Sequence, residues 1–137
     1  LNTEESGWTY RIVLANRSAT DPNVLEEIGV GDSASSVYLS INPINLALQL
    51  IWQESVPWDN KEYGIWRSIN KKEGPYELLA TVTDKESRYK DSPNTHTWRD
   101  NGEGSGLEVD TEYFYFIRSL GEYTLDKIDN LIYKESD

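Results

Sequence analysis

From Thr111 to Arg118 the sequence reads TEYFYFIR, with large side chains on both alternating sides. Successive strand residues point to opposite faces, so Tyr113, Tyr115 and Ile117 share one side and Phe114, Phe116 and Arg118 the other. A solvated hairpin would show one polar face. Apolar residues on both faces predict a strand inside a two-layer structure.

Runs of the same kind recur along the chain, separated by turn formers. In GWTYRIVLAN, Trp8, Tyr10, Ile12 and Leu14 alternate with Thr9, Arg11 and Val13, and VLEEIGVGDS returns after the turn residues Asp21, Pro22 and Asn23. Residues 8–31 therefore read as a hairpin. SSVYLSI is a further strand closed by NPIN, and LALQLIWQ places Leu46, Leu48, Leu50 and Trp52 on one face. In YGIWRS, Tyr63, Ile65 and Arg67 oppose Gly64, Trp66 and Ser68; YELLATV follows the turn NKKEGP. The polar stretch from Thr83 to Gly106 has no clear period, and one short strand is expected in it, around either Tyr89 or Trp98. LIYKESD closes the chain. No segment sustains a helical period, so helices should not exceed a turn or two. An antiparallel β-sandwich of about seven strands accommodates these faces, with an additional N-terminal β-hairpin.

Charge and composition narrow the partners. The 137 residues suffice for one ordinary domain, and five Trp and nine Tyr supply a core of large rings. A formal net charge of −11 repels phosphate backbones and anionic lipid, which argues against nucleic acid as a partner. The chain has no Cys, which excludes disulfides, thiolate metal sites and cysteine nucleophiles. Its longest apolar run, INLALQLIW, is strand-sized, so no direct membrane insertion is expected. With neither Met at position 1 nor a signal peptide before Leu1, the sequence reads as a piece of a longer or processed protein.

Several ordered motifs carry a resemblance. Trp52 in a strand, Tyr63 and Ile65 in the next, and LEVDTEYFYFI resemble the fibronectin type III domain, an immunoglobulin-like sandwich. That resemblance implies a tyrosine corner, with Leu107 opening the turn and Tyr113 bonding back to nearby backbone, and a core position for Trp52. ASSVYLSINP, LIWQESVPWDNKEYGIWRS, YELLATVT and LIYKESD are similar to fibronectin-type repeats of Bacteroidetes surface proteins, including gliding-motility-associated proteins exported by type IX secretion. The polar stretch before the corner is longer here than in that pattern. The resemblance covers about residues 35–137 and implies a secreted or cell-surface, outer-membrane-associated adhesion or spacer module. It also makes residues 1–34 the terminal hairpin of an upstream repeat; the alternative is a hairpin integral to this domain.

Candidates for chemistry are few. The 24 Asp and Glu form pairs by chance, and the single His96, in NTHTW, has no Gly-x-Ser-x-Gly elbow beside it, so a solvated loop histidine is expected and no catalytic residue is assigned. DNGEGSG gathers Asp100, Asn101 and Glu103 in a Gly-rich turn that lacks a full EF-hand pattern; a plain solvated turn is the preferred reading, without metal or cofactor. The aromatics are stronger candidates. Trp66 should point outward, and Trp58 and Trp98 lie in turn-rich segments, where exposed rings stack on glycan or anchor protein. Neighbouring domains of the same polypeptide are the expected partners. A carbohydrate-binding module or an accessory domain of a polysaccharide-degrading enzyme is the rival reading.

Overall fold

The computed structural model describes residues 5–122; the closing LIYKESD lies outside the described residues. In chain order the elements are β1 (Thr9–Tyr10), β2 (Val13–Arg17), β3 (Leu25–Val30), β4 (Ala34–Ser35), β5 (Tyr38–Ile44), β6 (Ala47–Gln53), β7 (Asp59–Ile69), β8 (Glu77–Thr83), α1 (Asp84–Ser87), β9 (Thr95–Asp100) and β10 (Tyr113–Glu122). All pairings are antiparallel. Two three-stranded sheets, ordered β5-β6-β9 and β10-β7-β8, form the body of the fold.

Both sheets contribute to one core. Leu50 and Trp52 from β6 meet Tyr63 and Ile65 from β7, all fully buried, with Leu39, Trp98, Ala80, Tyr115 and Ile117 packed around them. The alternation read in YGIWRS and TEYFYFIR thus becomes the sandwich: Ile65 pairs with Ile117, and Tyr115 with Arg67, on the inner side. On the outer side Trp66 pairs with Phe116. The polar stretch yields the strand at Trp98 and, ahead of it, the single turn α1. That turn carries a capping box in which Thr83 Oγ1 accepts from the Glu86 N–H at 3.2 Å and Glu86 accepts from the Thr83 N–H at 3.1 Å.

One face differs from the expected pattern. Leu46 does not continue the row of Leu48, Leu50 and Trp52; it occupies the β5–β6 turn at φ +52° and is half exposed, while Ala47 takes the buried place. A left-handed residue reverses the chain there, and its carbonyl accepts the Leu107 N–H at 2.8 Å, tying the turn to the loop before β10. Pro43 is tolerated because β5 is an outer strand, where a missing N–H costs no ladder bond.

The N-terminal segment forms a separate structure. β2 and β3 pair as a hairpin, and β1 joins β4, where Ser36 N donates to the Trp8 carbonyl at 2.7 Å and Trp8 N to Ser36 Oγ at 3.0 Å. The hairpin lies over neither sheet. Ile12 is 82% exposed, Leu25 71%, and Leu14 and Ile28 62% each.

Candidate functional site

The three tryptophans named as binding candidates are dispersed. Trp98 lies on β9 opposite Leu50 and is partly buried against the core. Trp66 points outward as expected, stacked on Phe116 at 5.6 Å and 9°; Tyr76 meets Phe116 edge-on at 5.0 Å. This row of three rings lies on the outer face of the β10-β7-β8 sheet. Trp58 precedes β7, its indole N–H donating to Asn60 Oδ1 at 3.1 Å, and its ring lies so close to Gly121 that no side chain would fit there. Trp52 is fully buried, Leu107 holds the β5–β6 turn, and Tyr113 Oη accepts the Glu108 N–H at 3.0 Å.

His96 is not a solvated loop residue. The pairing of β9 with β6 places it opposite Trp52, 1% exposed, with its ring stacked on Trp52 at 5.8 Å and tilted on Tyr63 at 4.6 Å. Nε2 is 3.1 Å from Tyr63 Oη, and Nδ1 is 3.0 Å from Ser87 Oγ. Burial holds this imidazole below its ordinary value, so it is neutral at pH 7. Near this cluster Asn60 Nδ2 donates to the carboxylate of Glu54, a residue only 6% exposed. Burial pushes the Glu54 carboxyl up, against the hydrogen bonds of Tyr63 and Ser119 that pull it down. A pocket of about 420 Å³ opens beside this array, lined among others by Glu54, Trp58, Asp59, Asp84 and Arg88. Arg88 holds Asp84 through bonds of 2.9 and 3.1 Å. The Ser87 hydroxyl is 2% exposed and within hydrogen-bond reach of the Thr83 and Asp84 carbonyls, so it is sequestered from any substrate.

A second buried cluster explains the Gly-rich turn. Asp100 is 2% exposed and points inward, its Oδ2 accepting from Arg67 Nη1 at 2.8 Å and from Tyr115 Oη at 2.7 Å. Its Oδ1 accepts the Gly102 N–H at 3.0 Å, and Asn101 Oδ1 accepts that of Gly104 at 3.1 Å. Burial alone would raise the Asp100 carboxyl; these bonds prevail and hold it below the ordinary carboxylate range. The oxygens thus brace the turn itself. Among the described residues no three His, Asp or Glu side chains gather as a metal-binding set.

A groove of about 560 Å³ runs between β5 and β10, lined by Tyr38, Tyr76, Tyr113, Phe114, Tyr115 and Phe116 among others. Comparison of the chain with protein-family models, curated proteins and solved structures finds no match.

Proposed function

We propose that the chain is a fibronectin type III-like module of a larger secreted or cell-surface protein, acting as a spacer or adhesion scaffold without catalysis. The observation that carries this reading is the strand order β5-β6-β9 facing β10-β7-β8, joined to the bond between Tyr113 Oη and Glu108 N, which is the arrangement expected of a tyrosine corner. The buried polar side chains support it as well: Asp100 and Ser87 are engaged with groups of their own fold. The exposed hairpin, attached through β1 and β4, suits contact with a preceding domain of the same polypeptide. The surface location rests on the sequence resemblance.

One observation favours a carbohydrate-binding reading: Trp66, Phe116 and Tyr76 form an aromatic row on an outer face, the type of surface on which sugar rings stack. A glycan array with the full chain, followed by tryptophan fluorescence, separates the two. The scaffold reading expects no saturable glycan signal. Saturable quenching that disappears in Trp66→Ala would replace it with the carbohydrate-binding reading.

A further inference from the structure

DNGEGSG contains the only Asn-Gly pair in the sequence, Asn101 and Gly102. The fold requires the glycine, because Gly102 stands at φ +62° and a Cβ there would collide with the Gly106 carbonyl. With Glu103 at φ +58° it forms the centre of a tight turn, closed by the Gly104 N–H donating to the Asn101 carbonyl at 3.3 Å. Asn101 itself is exposed. An asparagine so placed has a chemical weak point, since a following glycine has no side chain to shield its nitrogen from the asparagine amide carbon.

The surrounding bonds engage each reacting group elsewhere. Gly102 N–H donates to Asp100 Oδ1 at 3.0 Å, and the carbonyl of the same peptide group, on Asn101, accepts the Gly106 N–H at 2.8 Å. The peptide is held at both ends. The side-chain Oδ1 of Asn101 accepts the Gly104 N–H at 3.1 Å. Asp100 stays aimed at Gly102, because Arg67 Nη1 and Tyr115 Oη fix its other oxygen. Its negative charge also opposes loss of the neighbouring amide proton, the step that would make the Gly102 nitrogen a nucleophile.

We propose that Asn101 is a self-modification site, open to attack by the Gly102 nitrogen on its side-chain carbonyl and held shut by the Asp100 carboxylate. In the reaction the bond from Gly102 N to Asn101 Cγ forms and the Cγ–Nδ2 bond breaks. Ammonia leaves with the proton from Gly102, and a succinimide ring remains. Water then adds to either ring carbonyl and breaks its C–N bond, giving an aspartyl or an isoaspartyl residue. Both products place a new negative charge beside Asp100. The isoaspartyl form also routes the main chain through Cβ, lengthening the turn by one atom and converting the carbonyl that binds Gly106 N–H into a free carboxylate. This loop is tied to the β5–β6 turn by the Leu107 N–H, which donates to the Leu46 carbonyl at 2.8 Å. The modification therefore loosens that end of the sandwich.

The test is incubation of the full chain in mildly alkaline buffer, with peptide mapping by mass spectrometry for exchange of the Asn101 side-chain nitrogen for oxygen and an assay for isoaspartate. The folded chain should react at Asn101 several-fold more slowly than the same chain unfolded in guanidinium chloride. Asp100→Ala should raise the folded rate toward the unfolded one. Tyr115→Phe removes a partner of Asp100 Oδ2 but leaves the Gly102 bond, so its rate should stay close to that of the unsubstituted chain. Equal rates in the folded and unfolded chains overturn the inference, as does an unfolded chain that leaves Asn101 intact. A folded Asp100→Ala chain that reacts no faster, or a Tyr115→Phe chain that reacts as fast as it, removes Asp100 as the guard. If Asp100→Ala does not fold, hydrogen exchange of the Gly102 amide in the unsubstituted chain decides: slow exchange is expected, and fast exchange contradicts the guard.

Discussion

Asp100 shows how much a single side chain holds together here, since its two oxygens join Arg67 of β7, Tyr115 of β10 and the turn at Gly102. Asp100→Asn should cost about 3 kcal/mol, because removing one member of a buried ion pair leaves its partner uncompensated; urea unfolding measures it. The pH dependence has a definite sign. The folded carboxyl lies below the unfolded one, so its contribution is present above the ordinary carboxylate range and is lost as pH falls through the folded value. Asp100→Asn should flatten that acid limb. His96 titrates in another window: its folded value lies below the unfolded one near 6.5, so stability declines as pH falls from there toward the folded value. Glu54 has the opposite sign, because its raised folded value stabilises at low pH and that contribution is lost as pH rises through it. Glu54→Gln should therefore steepen the acid decline attributable to His96, which stability measured at a series of pH values would show. A decline unchanged by the substitution would remove Glu54 from the balance. Tyr113→Phe should cost about 1 kcal/mol, the net value of the hydrogen bond from the Glu108 N–H to the Tyr113 hydroxyl.

Among the elements, α1 shows a different kind of dependence. One turn of helix has little stability of its own, and the Thr83–Glu86 capping box compensates. Thr83→Ala should cost about 1 kcal/mol, measured by chemical denaturation. TDKE encodes the box as a threonine followed three residues later by glutamate, but it lies in a stretch with no period, where only a short strand is expected. Strand identity was legible wherever alternation was strong: Tyr63 and Ile65 in β7, and Tyr115 and Ile117 in β10, face the core as their spacing requires. The position of His96 was not. Its burial depends on β9 pairing with β6 and on Tyr63, 33 residues away, reaching its ring, and no local pattern encodes either fact. Trp98 was obscured for the same reason, because the polar residues around it conceal a strand whose inward side chains are an indole and an imidazole. Leu46 marks a limit of alternation itself, since a left-handed turn shifts the buried place by one residue.

The described residues form a sandwich with one shared core and an N-terminal hairpin whose apolar side chains are exposed. An isolated two-stranded hairpin is marginal in water, and exposed apolar strands invite association. The hydrogen bonds of β1 with β4, together with those of Trp8 with Ser36, attach it to the sandwich. None of the residues forming the core or the two buried polar clusters lies before Ser35. The sandwich should therefore fold by itself, as a module in a longer chain must. Urea unfolding of residues 35–137 beside the full chain, followed by tryptophan fluorescence, tests this division directly. A single cooperative transition with nearly the midpoint of the full chain is predicted. A truncated chain that is unfolded or aggregated would make the hairpin integral to the fold and contradict the modular reading.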